Sequence, residues 1–87
     1  MIKVEVNGKT RIIRDKFINY QTENDLECNY KKHHISISKQ EVGDIYVTVT
    51  DSKGMFAVDG GFGGDWGEDK HNSIEGCLIM AIENILI

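Results

Sequence analysis

The 87-residue sequence contains no proline, only two cysteines, and no apolar run long enough to cross a bilayer. Charged residues within Met1–Glu5 interrupt the continuous apolar segment that a signal peptide requires. These absences predict a cytoplasmic protein with no membrane association. In that compartment Cys28 and Cys77 are expected to be free thiols.

Positive charge is also scarce, because 10 Lys and Arg face 14 Asp and Glu, for a net charge of −4. A protein that binds the nucleic-acid backbone needs a basic face, so no direct nucleic-acid binding is expected. Eight lysines against two arginines, twelve isoleucines, two alanines and the missing proline indicate an AT-rich coding sequence. That bias is common in phages and mobile elements, which would place the protein in the cytoplasm of a host cell.

The length predicts a single domain spanning residues 1–87, and turn signals predict three hairpins, over about 2–14, 26–38 and 44–62. Asn7-Gly8 suits a type I′ turn that places Ile2 opposite Ile13. A turn at Lys31-Lys32 matches two alternating apolar sets in the middle hairpin. The segment from Asn19 to Asp25 has no periodicity and is predicted to be a loop.

The third hairpin has the clearest turn signal, with Asp first and Gly last in Asp51-Ser52-Lys53-Gly54. A type I turn there places Val49 opposite Phe56, and it places Val47 opposite Val58. The three hairpins together predict an α+β fold: an antiparallel β-sheet of five or six strands with one C-terminal α-helix packed on one face.

The C-terminal helix is predicted over about 73–86, capped by Asn72 or Ser73. At 100° per residue the predicted core stripe contains Ile74, Cys77, Leu78, Ala81 and Ile85. The same projection leaves an apolar flank outside that stripe, formed by Ile79, Ile82 and Leu86. A monomer rarely exposes so much apolar area, so this flank predicts the interface of a homodimer.

A glycine-rich acidic loop is predicted over 59–69, between the last strand and the helix. Aromatic and acidic side chains on an irregular loop can form a binding surface for another protein. The predicted partner-binding residues are Asp59, Phe62, Asp65, Trp66, Glu68 and Asp69. For two of them, the alternative is burial in the core. Phe62 continues the apolar face of the preceding strand, and Trp66 could also be half-buried.

No set of residues predicts catalysis, a metal site or a cofactor. The stretch Gly60–Asp65 matches the start of a calcium-binding nonapeptide repeat, but such repeats bind calcium only when stacked. His33 and His34 are adjacent on a strand and point to opposite faces, so they cannot hold one metal together. His71 is expected to be solvated. The sequence therefore predicts a protein that is not an enzyme.

From Ile45 to Ile87 the order of strand, tight turn, strand, Gly-rich loop and capped helix resembles the HicB-type antitoxin domain. Asn72-Ser73-Ile74-Glu75 occupies the position of that family's helix start. The sequence lacks the family's usual Pro-Gly loop and has two additional N-terminal hairpins. The resemblance implies a similar fold, and it assigns no functional residue.

The preferred prediction is a small protein-binding module: a phage or mobile-element inhibitor, similar to an anti-CRISPR protein, that blocks a binding surface of a host defence complex. If that complex handles nucleic acid, the carboxylates could occupy its basic groove. The first alternative is a HicB-like antitoxin or regulator that masks a toxin. The second alternative is a small metal-binding protein.

Overall fold

The computed structural model describes residues 1–63 and 71–87. Its elements, in chain order, are β1 (Ile2–Val6), β2 (Lys9–Ile13), a 3-10 turn (Asp15–Phe17), β3 (Ile18–Gln21), β4 (Asp25–Tyr30), β5 (His33–Lys39), β6 (Asp44–Thr50), β7 (Phe56–Gly63) and α1 (Ile74–Ile85).

The strands form two antiparallel sheets, and the chain has an α+β fold as predicted. Strands β3 to β7 form a five-stranded sheet in chain order, and among the described strands β1 pairs only with β2. Helix α1 packs across β4 to β7 on one face of the large sheet and also contacts β1. The core is one apolar cluster between the large sheet, the helix and the small hairpin. No helix in the described ranges is long and apolar enough to cross a membrane.

The first two hairpins have the predicted register. Ile2 lies opposite Ile13 in the first, and Cys28 lies opposite Ile35 in the second. The apolar residues on facing strands consequently meet on one side of each hairpin, which is the side that packs into the core. The half-buried Arg11 lies opposite Val4, as expected if its alkyl chain covers the apolar face.

The prediction of a loop over Asn19–Asp25 was wrong at its two ends, because β3 (Ile18–Gln21) pairs with β4 at the edge of the sheet and β4 begins at Asp25. Residues 22–24 form the connection, as predicted. A register shift between Ile18 and Tyr20 interrupts the alternation that would have revealed the strand. Ile18 packs against the core, and Tyr20 lies opposite Glu27 on the other face of the sheet.

The register of the third hairpin differs from the prediction by two residues. The type I turn forms, since Gly54 N donates to Asp51 O at 3.0 Å, but Gly54 has a φ of +81° and adds one residue to the connection. A bulge after Val49 adds a second residue, so that Val49 lies opposite Val58. Phe56 therefore lies opposite Thr50 and is 61% exposed, instead of facing Val49 in the core.

Strand β7 continues through part of the predicted glycine-rich loop and ends at Gly63. Glycine is required there for two reasons: φ is +80°, and a Cβ atom would lie 2.7 Å from the carbonyl oxygen of His71. The end of β7 at Gly63 therefore lies close to His71, just before α1. The prediction of a loop is wrong for residues 59–63, and its remainder lies outside the described residues.

Helix α1 begins after Ser73, whose side chain accepts a hydrogen bond from Gly76 N at 2.9 Å, as predicted for a capping residue. Its fully buried residues are Cys77, Leu78, Ala81 and Ile82. The other two residues of the predicted stripe, Ile74 and Ile85, are half-buried and pack against the core, whereas the stripe missed Ile82.

The burial of Ile82 also corrects the predicted dimer interface. Ile82 is 0% exposed within one chain, so it is not accessible to a second copy. Ile79 and Leu86 are half-buried and pack against the core, and α1 contacts β1 as well as the large sheet. The apolar excess that suggested a homodimer is thus largely buried within the chain, and the oligomeric state stays a prediction.

Two hairpins use two-residue turns with positive φ at both positions, but they use different residues. Asn7 and Gly8 adopt φ of 54° and 79°, whereas Lys31 and Lys32 adopt φ of 46° and 64°. Asn and Gly tolerate this left-handed conformation, but lysine is strained in it. The Lys31-Lys32 turn is thus less stable than an Asn-Gly pair would be in the same backbone geometry.

Replacing the lysine turn by Lys31→Asn with Lys32→Gly is expected to raise the free energy of unfolding by about 1 kcal/mol. The substitution removes backbone strain from the folded chain, and this gain exceeds the cost of the greater conformational entropy that glycine gives the unfolded chain. Urea unfolding of the variant and the wild type measures the difference. Asn7→Lys with Gly8→Lys is the reverse control and should be destabilising. A lysine turn that proved more stable than Asn-Gly would contradict this interpretation.

Both cysteines are free, as predicted, and both are 0% exposed, at the interface between the sheet and the helix. Burial raises the pKa of the Cys28 thiol from 9.0 to about 11, and it also raises the pKa of Cys77. The Cys77 thiol donates to the carbonyl oxygen of His71 at 3.4 Å. Neither cysteine supplies a thiolate near neutral pH.

A pH dependence follows from Cys28. The pKa of this thiol is higher in the folded chain than in the unfolded chain, so its ionisation favours unfolding. Its contribution to the free energy of unfolding is fully present below pH 9 and is lost as the pH rises from 9 through about 11. Urea unfolding across that range should show a steeper loss of stability in the wild type than in Cys28→Ala. Equal slopes in the two proteins would show that Cys28 ionises equally in both states.

Candidate functional surface

One face of the large sheet is not covered by any described element. Directly opposed residues on antiparallel strands project to the same side, so the register defines three rows on this face. The rows are Tyr20, Glu27, Ser36, Thr48 and Asp59; Asp25, Ser38, Tyr46 and Gly61; and Asn29, His34, Thr50 and Phe56. We call these three rows the open face. None of their side chains is buried, whereas the opposite face carries the core.

The open face is acidic. Its rows contain the carboxylates Asp25, Glu27 and Asp59. Asp44, the first residue of β6, adds a fourth beside Gly61, since a Cβ atom on Gly61 would lie 3.1 Å from Asp44 Oδ2. The rows contain no lysine or arginine, and His34 is their only basic side chain. A surface with one sign of charge attracts partners of the opposite sign.

Asp59 is held in place by a tyrosine on the neighbouring strand. The Tyr46 hydroxyl donates to Asp59 Oδ1 at 2.5 Å, between diagonal neighbours on β6 and β7. This hydrogen bond, followed by the negative charge of Asp59, raises the pKa of Tyr46. The pair therefore presents a fixed carboxylate beside an aromatic ring that is 45% exposed.

Other polar side chains on the open face also hold one another. His34 Nδ1 lies 3.4 Å from Asn29 Oδ1, and His34 Nε2 lies 3.9 Å from Glu27 Oε1. Ser38 Oγ donates to Asp25 Oδ1 at 2.6 Å. These cross-strand contacts limit the side-chain entropy that a partner would have to remove on binding.

Three aromatic side chains are exposed on the open face. Tyr20 is 52% exposed, Tyr46 45% and Phe56 61%. They lie on the edge strand β3 and on strands β6 and β7, so the carboxylates lie between and beside them. Exposed aromatics surrounded by polar groups are typical of protein-binding surfaces.

The structure separates the two predicted partner-binding residues that it describes. Asp59 is exposed on the open face, but Phe62 lies on the opposite face, packed against the core. The Phe62 ring contacts the His71 ring edge-on, with centroids 5.6 Å apart. His71 is consequently half-buried rather than solvated. Asp65, Trp66, Glu68 and Asp69 lie outside the described residues, so their assignment to a partner surface stays a prediction.

The sequence analysis missed most of the open face. The alternation of polar residues with Ile35, Ile37, Val47 and Val49 was visible in the sequence, and it was used only to identify the buried side. The outward-facing positions of β4 and β7 contained the signal, since Asp25, Glu27 and Asp59 lie there and the rows of the open face contain no lysine or arginine.

Within residues 1–63 and 71–87, no group of three or more His, Cys, Asp and Glu side chains is placed to hold a metal ion. His33 and His34 diverge as predicted: His33 Nδ1 lies 2.8 Å from the carbonyl oxygen of Lys31, whereas His34 lies beside Asn29. On the open face, the side chains offer charge, hydrogen bonding and aromatic contact.

Comparisons with protein-family models, with curated proteins and with solved structures found no match.

Proposed function

We propose that this protein is a non-enzymatic binding module that presents the open face to a basic surface of another protein. The observation that supports this most strongly is the asymmetry of the large sheet. One face carries the core, and the other carries carboxylates and exposed aromatics without lysine or arginine.

The open face has the properties that such binding requires. Its carboxylates steer a basic partner toward the sheet, and the exposed rings of Tyr46 and Phe56 offer apolar area once the two surfaces meet. The hydrogen bond between Tyr46 and Asp59 fixes one charge at a defined position on a rigid strand. A sheet surface is well suited to presenting such groups, since its backbone does not need to order on binding.

The proposed biological role is inhibition of a host defence complex by a phage or mobile-element protein, as in anti-CRISPR proteins. A nucleic-acid-handling complex has a basic groove, and an acidic sheet could occupy that groove in place of the phosphate backbone. The AT-rich character of the sequence and its net charge of −4 are consistent with this role.

A capture experiment with matched variants tests the proposed function. The immobilised wild type is compared with Glu27→Gln/Asp59→Asn, which removes two charges from the open face, and with Glu5→Gln/Glu83→Gln, which removes two exposed charges elsewhere. We expect a host protein that the wild type and the second variant retain, and that the first variant loses. A partner retained equally by both variants would show that the open face is not the binding surface.

The same experiment addresses the antitoxin alternative. A toxin encoded beside this gene would be captured as the partner if the chain masks a toxin, and the charge variants would show whether it uses the open face. The resemblance of residues 45–87 to the HicB-type domain supports this alternative only through the order of elements.

A further inference from the structure

A second surface, far smaller and opposite in charge, lies where the small hairpin meets the end of the large sheet. An open cavity of about 380 Å³ is lined there by Ile12, Ile13, Phe17, Tyr30, Lys31 and Lys32, together with Asn29 at the border of the open face. We call it the lysine groove. Its volume falls in the range of pockets that bind small molecules.

The wall of the lysine groove is an exposed continuation of the core. Ile13 is 1% exposed and belongs to the core cluster, against which Tyr30 also packs. Ile12 and Phe17 extend this apolar surface outward, and they are 46% and 43% exposed. The groove therefore offers a continuous apolar wall to a ligand.

Cations surround this apolar wall. The Lys16 ammonium lies 5.1 Å from the centroid of the Phe17 ring, and the Lys31 ammonium lies 6.0 Å from that of Tyr30. Lys32 lines the groove beside Lys31, and none of the lining residues is acidic. In a chain with a net charge of −4, this is a local concentration of positive charge.

Two of these lysines lie in a turn whose backbone geometry does not favour lysine. Lys31 and Lys32 both adopt left-handed backbone angles, whereas the first hairpin uses the relaxed pair Asn7-Gly8 in the same turn geometry. Strain retained at specific positions is typical of functional sites. Folding alone would be better served by Asn-Gly at residues 31 and 32.

We propose that the lysine groove binds a small amphipathic carboxylate, with its apolar chain against Phe17 and Tyr30 and its carboxylate between the ammonium groups of Lys31 and Lys32. The apolar wall requires an apolar ligand body, and the cations require an anionic head group. A nucleic acid fits less well, because its repeated phosphates need a track of cations and the net charge of the chain repels a polyanion. This proposal does not rest on the function proposed for the open face.

Titration of the ¹⁵N-labelled full chain with octanoate, followed by NMR, tests the proposal. We expect shifts of the amides of Ile12, Phe17 and Lys31. The Lys31→Asn/Lys32→Gly variant should bind octanoate at least about tenfold more weakly, because charge-assisted hydrogen bonds are lost. It should remain folded, since its turn copies the first hairpin. Phe17→Ser should weaken binding independently, through the apolar wall.

Matched ligands separate the alternatives. 1-Octanol has the same chain without the charge, so it should bind the wild type more weakly than octanoate and should not distinguish the wild type from the double variant. Equal affinity of the wild type and the double variant for octanoate would overturn the proposal. It would also be overturned if oligothymidylate or an acidic peptide bound at these amides while octanoate did not.

Discussion

Replacing Ile82 with alanine is expected to lower the free energy of unfolding by about 3 kcal/mol, because the substitution leaves a cavity in the core. Ile82 is 0% exposed and lies on α1 within the cluster that joins the helix to both sheets. An 87-residue domain has little stability in reserve, so this loss should bring the variant close to unfolding. Urea unfolding of wild type and variant measures it directly.

Ile87→Ala is the matched control for Ile82→Ala. Ile87 is 99% exposed at the end of the chain, so its truncation should change stability by less than about 0.5 kcal/mol. The destabilisation caused by Ile82→Ala should also be independent of protein concentration if Ile82 is buried within one chain. A wild-type unfolding midpoint that rises with concentration, together with a small effect of Ile82→Ala, would restore the predicted dimer interface.

Removal of two carboxylates from the open face by Glu27→Gln/Asp59→Asn is expected to weaken partner binding about 100-fold. Glu27 and Asp59 lie in the same transverse row, so one basic surface can contact both. The substitutions preserve the shape of the side chains, and Asn can still accept the hydrogen bond from Tyr46. Calorimetric titration of the captured partner measures the loss.

Two controls accompany that measurement. Glu5→Gln/Glu83→Gln changes the net charge equally and should leave the affinity within about threefold of wild type, since distant charges are screened. The stability of both double variants should lie within about 1 kcal/mol of wild type. If the two variants weakened binding equally, net charge rather than the open face would explain the affinity.

Much of the fold could be predicted because the local signals agree with the tertiary structure. Asn7-Gly8 fixes the first register, and Ser73 caps the helix where the apolar periodicity begins. The errors arise where backbone irregularities break the pattern. The extra residues at Gly54 and in the bulge after Val49 shift β7 by two positions, and a register shift conceals β3.

The packing of the small hairpin could not be predicted, for a different reason. Nothing local in Ile2–Val6 indicates that this strand joins α1 instead of the edge of the large sheet. That arrangement depends on long-range packing, which apolar periodicity does not encode. Without this contact, one side of α1 had no predicted covering element, and it was assigned to a dimer face.

The candidate surface was predicted only in part for a related reason. Asp59 was identified from its position beside the glycines, and the structure places it on the open face with Tyr46. Its partners Glu27 and Thr48 come from distant parts of the chain and meet it only through the register of four strands. A sequence pattern shows that their side chains alternate outward, but not which of them share a row.

NMR mapping of the partner-binding surface tests the central claim most directly. The ¹⁵N-labelled chain is titrated with its captured partner, and the amides that shift are placed on the structure. We predict that they cluster on the open face, around Glu27, Thr48 and Asp59, and that the exposed side of α1 around Glu83 is unaffected. Shifts confined to α1 and the β1–β2 hairpin, with the open face unchanged, would contradict this account.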